Sequence, residues 1–138
     1  MFLQGLSYNI ACYSRERIAK MSEANEIKLE KHGDVTLFDI RGDVTAFSEP
    51  FFNEAYKNSV DIGAEKILLK FDEQAYINSG GIAVLIQVLA RTKQNNQETG
   101  VTGLSEHFKK VFNMVGITKF AKVYPTLEEA LKAMSPRA

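Results

Sequence analysis

The chain has a single cysteine, Cys12, in 138 residues. No intrachain disulfide is therefore possible, and a reducing compartment fits this cysteine usage best. Histidine is nearly as scarce, with only His32 and His107. These soft ligands stand far apart along the chain, which argues against a structural zinc site. Charge of one sign is also lacking: seventeen basic and seventeen acidic side chains cancel to a formal charge of zero. That balance leaves no electrostatic footprint for nucleic acid or an anionic membrane. No apolar run approaches the roughly 20 residues needed to span a bilayer. The expectations are cytoplasmic residence, no membrane span, no direct nucleic-acid partner and no cofactor.

What is present suits one small domain. An apolar fraction of 45% is ordinary for a globular chain, and a chain of this length buries about two-thirds of its unfolded surface on folding. Residues 1–21 read differently from the rest. They lack a basic stretch ahead of an apolar one, and Tyr8, Asn9 and Cys12 interrupt the apolar content, so a signal peptide is a poor reading. Met21-Ser22-Glu23 looks like a second start. The expectation is an N-terminal extension over 1–21 and a single domain over 22–138.

After Met21 the sequence alternates strand-like and helix-like segments, with no low-complexity linker or internal repeat. Glu26–Lys31 alternates apolar and charged residues as an edge strand does, and His32-Gly33-Asp34 supplies a turn. Val35–Ile40 is a second strand closed by Gly42. Ser48-Glu49-Pro50 reads as a helix start with Ser48 as N-cap. Phe52, Ala55, Tyr56 and Val60 then recur at helical spacing, and Gly63 supplies the stop. Lys66–Phe71 is too short for a buried helix and reads as a central strand.

Ser79 opens the most apolar helix, with Ile82, Leu85, Ile86 and Leu89 in the i, i+3, i+4, i+7 pattern. Gly100–Leu104 is a short strand. Ser105 caps a helix carrying Phe108, Val111, Phe112 and Val115 on one face, which Gly116 ends. Val123-Tyr124 makes a last strand, and Thr126 with Glu129 forms a capping box for a helix through Met134. The order β-β-α-β-α-β-α-β-α predicts an α/β fold, a mixed sheet packed against about four α-helices.

Catalysis finds no support, and no enzyme is expected. Asp72 and Glu73 are adjacent after a strand, where neighbouring side chains point apart, so solvated loop charges are the better reading. His107 has no nucleophile or orienting group placed with it and reads as a surface residue. His32 falls in a turn. Phe108 and Phe112 read as core, and Lys109-Lys110 as a solvated face. Gly80-Gly81 lacks the G-x-x-x-x-G-K-[ST] pattern of nucleotide-hydrolysing loops.

One segment carries more than fold. The run Ile67 to Gly81, ILLKFDEQAYINSGG, resembles without a gap the segment of STAS-domain anti-sigma-factor antagonists in which a strand leads through a D-S-S-G turn into a helix. Asn78 holds the aspartate position, Ser79 the first serine, Gly80 the second and Gly81 the glycine. Ile82-Ala83-Val84-Leu85 resembles the helix start that follows. Gly42-Asp43-Val44-Thr45 resembles the family's earlier G-E-L-D turn, and Val115-Gly116-Ile117 the end of its third helix. The resemblance runs over roughly residues 26–134.

It implies a STAS-like fold and a bacterial partner-switching role. In such a cycle the unphosphorylated antagonist binds an anti-sigma factor that is also a serine kinase, freeing the sigma factor. Phosphorylation of the motif serine, here Ser79, releases the antagonist, and a serine phosphatase resets it. The resemblance places Asn78, Ser79, Gly80, Gly81 and Thr45 on the partner-binding surface, with Gly80 and Gly81 keeping the backbone there accessible. Asn78 and Thr45 stand where the family carries acidic residues. That loss of charge motivates a second reading, an unphosphorylated scaffold of the stressosome kind. A third reading, a ligand-binding module serving a transporter, fits a chain without a membrane span only as a separate subunit. Read from the residues alone, Ser79 has the plainer role of a helix N-cap.

Overall fold

The computed structural model of the chain describes residues 25–135, so the expected extension over 1–21 and Cys12 lie outside the described residues. Strands β1 (Glu26–His32) and β2 (Val35–Arg41) pair antiparallel, with His32 opposite Val35. Gly33, at φ 66°, makes the tight reversal between them, in the left-handed region where a side chain is strained. Strands β3 (Lys66–Lys70), β4 (Glu98–Thr102) and β5 (Lys122–Val123) follow in parallel, giving a sheet in the order β1-β2-β3-β4-β5. Between and after them lie α1 (Glu49–Asp61), α2 (Ser79–Gln94), α3 (Glu106–Met114) and α4 (Leu127–Met134). The expected element order and the mixed sheet are both present.

Side-chain alternation in β2 assigns the two faces of the sheet. Phe38 and Ile40 point to one face and join Ile67, Leu69, Phe52, Leu85, Leu89 and Phe112 in the main core. Val35 and Leu37 point to the other, where they join Leu68, Ala130 and Met134 in a smaller cluster under α4, edged by the partly buried Tyr124, Leu127 and Leu131. Beyond α4 this second face is charged. Asp39 is nearly buried there, 3.3 Å from the Arg41 Nε and 3.6 Å from the Lys70 Nζ. The hydrogen bond to Asp39 holds the Arg41 guanidinium above its ordinary pKa.

Several local expectations are corrected. Ser48 holds the expected N-cap position of α1 but makes no side-chain cap bond to it; it is buried as the last residue of a 3-10 turn (Ala46–Ser48) that precedes the helix. The buried stripe of α1 is Phe52, Ala55, Tyr56 and Ser59, which leaves Val60 47% exposed. Ser59 tolerates burial because its hydroxyl donates to the Tyr56 carbonyl oxygen at 2.7 Å. In α2 the buried stripe is Gly81, Val84, Leu85, Val88, Leu89 and Thr92, so Ile82 and Ile86 are only half-buried at its edge. Strand β4 begins at Glu98 rather than Gly100 and stops before Gly103, whose φ of 84° breaks the extended backbone. The Thr126 hydroxyl accepts from the Glu129 N–H at 3.1 Å, the one half of the expected capping box that forms.

Candidate functional site

The site is built where β2 and β3 run out of the sheet at the same end. Val44, just after β2, pairs with Ile77, just after β3, in an isolated parallel bridge. The Val44 N–H donates to the Tyr76 carbonyl oxygen at 2.9 Å, and the Asn78 N–H donates to the Val44 carbonyl oxygen at 3.2 Å. Asp43 adds a third tie, its Oδ1 accepting from the Tyr76 N–H at 2.9 Å. Two loops that lie far apart in sequence are thereby laced into one ledge.

On that ledge α2 begins. Asn78 is its N-cap: the backbone is extended (φ −92°, ψ −177°) and its Oδ1 accepts from the Gly81 N–H at 2.9 Å. Ser79 is consequently the first helical residue, not the cap, and its side chain is exposed. The helix's unpaired N–H groups and the positive end of its dipole lie at this terminus. A hydroxyl placed there is free for chemistry, because the capping is done by its neighbour.

The glycines explain how the helix gets so close to the ledge. A Cβ at Gly81 would fall 2.1 Å from the Val44 carbonyl oxygen, closer than any real contact. Gly81 is buried for this reason and shapes the surface from beneath, contrary to the accessible backbone expected of it. At Gly80 a Cβ would lie 3.0 Å from the Ala46 Cβ and N, so the 3-10 turn packs against the first turn of α2. That turn has its own reciprocal cap. The Thr45 hydroxyl accepts from the Phe47 N–H at 3.1 Å, and the Thr45 N–H donates to the Ser48 Oγ at 2.9 Å. Thr45, Asn78, Ser79, Gly80 and Gly81 are thus brought together.

Beside Ser79, a groove of about 340 Å³ runs between α2 and α3. Ser79, Ile82, Phe108, Val111 and Val115 are among its walls, with Tyr76 and His107 at the rim. Tyr76 and His107 each meet the Phe108 ring edge-on, with centroids 5.8 and 4.9 Å away. Sequence reasoning missed this feature. It set Val115 on the same helix face as Phe108 and Phe112, whereas Val115 is 45% exposed, and gave Tyr76 no role, though it is 60% exposed. The Thr-x-x-Ser spacing of the Thr45–Ser48 box was the one signal that would have placed Ser48 correctly.

The other residues weighed from the sequence stand apart from the ledge's chemistry. Asp72 and Glu73 are exposed in the loop after β3, where the Asp72 carboxylate accepts from the Gln74 N–H at 3.1 Å. Phe108 and Phe112 are buried, and Lys109 pairs with Glu106 at 3.0 Å along one face of α3. Among the described residues no cluster of three or more His, Cys, Asp or Glu is arranged to hold a metal ion. None of the described helices is long and apolar enough to cross a membrane.

Comparison with known proteins agrees with this architecture. The family model for the STAS domain matches residues 26–130. An anti-sigma factor antagonist from Mycobacterium paratuberculosis superposes with a TM-score of 0.67 at 20% identity, over 81% of this chain and 95% of its own. RsbS from Moorella thermoacetica gives a TM-score of 0.69 at 12% identity, over 80% of this chain and 96% of its own. The phosphorylated form of the Bacillus cell fate determinant SpoIIAA gives 0.57 at 16% identity, over 78% of this chain and 98% of its own. At these identities the likeness is one of fold.

Proposed function

Because the chain belongs to the STAS domain family, we propose that it is an anti-sigma-factor antagonist that works by partner switching, with Ser79 as the phosphorylated residue. Its partner in this reading is an anti-sigma factor with serine kinase activity, and a serine phosphatase reverses the modification. The observation that carries the reading is the exposed Ser79 hydroxyl on the first turn of a helix whose capping is done by Asn78.

The electrostatics favour a switch that leaves the fold intact. A phosphate adds about −1.5 to −2 charges, and at a helix N-terminus those charges meet the positive end of the dipole. Asn78 caps without charge, so no carboxylate already occupies that favourable position. Thr45 is likewise neutral, and its hydroxyl is engaged with the Phe47 N–H. The replacements of acidic residues at both positions therefore keep the hydrogen bonds of the ledge and leave it more receptive to a phosphate. To a docked partner the same phosphate is a desolvated, unmatched charge, and binding is lost.

The test is phosphate transfer followed by intact-mass and site mapping, using serine kinases encoded beside the gene. Wild type should gain one phosphate and Ser79→Ala none. Ser79→Asp should bind the kinase more weakly than wild type. Equal binding by Ser79→Asp and wild type, with Ser79→Ala still phosphorylated, would remove the switch and leave the scaffold reading in its place.

A further inference from the structure

We infer that the groove beside Ser79 is a second half of the docking surface, seating an uncharged, apolar segment of the same anti-sigma factor whose release Ser79 controls. The inference rests on the partner-switching reading and adds to it the chemistry of the contact.

Among the described residues exposed large apolar side chains are few and unevenly placed. Phe47, Tyr76, Met114 and Val115 are 64%, 60%, 82% and 45% exposed, while Val60 and Ile62 stand elsewhere, at the end of α1. Tyr76 and Val115 line the groove that Ser79 also lines. Met114 adjoins Val115 at the end of α3, and Phe47 lies on the 3-10 turn packed against Gly80. Apolar surface concentrated in this way, around a concave site with a few polar groups, marks an interaction surface rather than scattered exposure.

Charge selects the occupant. The groove's walls contain no Asp, Glu, Lys or Arg. A charged partner residue inserted here would lose its hydration and find no counter-charge. An apolar segment, such as one face of an amphipathic helix, loses nothing and gains burial against Ile82, Val111 and Val115. The groove is also continuous with the phosphorylation site, because Ser79 belongs to both. A phosphate on Ser79 would bring a fixed charge into a lining that carries no Asp, Glu, Lys or Arg. Release then follows from spoiling an apolar contact, in addition to any direct repulsion of the partner.

The experiment measures Kd by calorimetry between the unphosphorylated full chain and candidate anti-sigma factor kinases encoded beside its gene. The variants are Tyr76→Asp, Val115→Asp, Ser79→Asp and, as an exposed apolar control at the far end of α1, Val60→Asp. Thermal melts establish that each is folded. The expected result is a Kd raised at least about tenfold by Tyr76→Asp and by Val115→Asp, with Val60→Asp unchanged. Wild-type affinity in both groove variants, with binding lost in Ser79→Asp, would overturn the groove and leave the switch standing. Loss in the groove variants with full affinity in Ser79→Asp would instead keep the groove and sink the switch. A wild type that binds no anti-sigma factor defeats both. Self-association seen by sedimentation and abolished by Val115→Asp would make the occupant a second copy, and the inference would be wrong.

Discussion

The two faces of the sheet are held by different means. On one, α1, α2 and α3 enclose a continuous core that includes Phe38, Ile40, Leu85 and Phe112, all at most 1% exposed. On the other, α4 covers a smaller cluster that includes Val35, Leu37 and Leu68, and a polar clasp supplements the thin contact. The Lys66 ammonium donates to the Met134 carbonyl oxygen at 2.7 Å and lies 3.0 Å from the Asp34 carboxylate, which also accepts from the Ser135 hydroxyl. Ser79 is mounted on the thick side, on a helix whose far face is fully committed to the core. A surface charge can change there without disturbing what holds the helix. The thin side has no comparable reserve, and its chemistry is that of a fastening.

The contrast can be tested most severely at the centre of the thick face. Leu85→Ala should cost about 3–5 kcal/mol in urea-induced unfolding, and should lower global stability rather than loosen one helix. Met134→Ala, on the thin face, should cost about 2–3 kcal/mol, with hydrogen exchange rising first in α4. Gly81→Ala comes next, at about 2 kcal/mol, because the new methyl meets the Val44 carbonyl and α2 must retreat. Its second signature is faster exchange of the Val44 and Asn78 amides.

Smaller effects sharpen the comparison at each end. Asn78→Ala should cost about 1 kcal/mol by removing the cap. Asn78→Asp should raise the melting temperature of the unphosphorylated protein, since a carboxylate suits a helix N-terminus, and should shrink the further change on phosphorylation. On the thin face, the Ser135 hydroxyl and then the Lys66 ammonium hold the Asp34 carboxyl at about 2, down from 3.8. A lowered folded-state value stabilises above the unfolded value, and that stabilisation is lost as pH falls toward the folded one. Wild type should therefore lose its small advantage over Asp34→Asn between about pH 4 and pH 2, and the two acid-unfolding curves should merge below that. Parallel curves throughout would show that the clasp contributes nothing.

The order of elements was legible because each has its own periodicity and its own punctuation. Gly33, Gly63 and Gly116 end segments as expected, at φ 66°, 77° and 86°. What was not legible turned on choices between near-equals. Asn and Ser are about equally good caps, so Asn78-Ser79 does not reveal which one caps until the Val44 carbonyl fixes the depth of Gly81. In α2, Ile82 and Val84 both lie on apolar stripes, and only packing against the sheet decides that Val84 is buried and Ile82 borders the groove. Ser59 and Thr92 look polar, yet both are buried with their hydroxyls donating to backbone carbonyls. The groove itself has no local signature, because Tyr76, Ile82 and the pair Val111 and Val115, from α3 and its C-cap, come from three separate segments.

The Val44–Ile77 bridge has a bearing on rates. It pins the loop that leads into Ser79, so on the proposed reading recognition requires orientation of a finished surface and no folding of a segment on arrival. Association of such surfaces ordinarily falls at about 10⁵–10⁷ M⁻¹s⁻¹ and varies little among variants of one interface. If Ser79 is the switch proposed above, phosphorylation would be felt in the lifetime of each encounter rather than in how often encounters succeed.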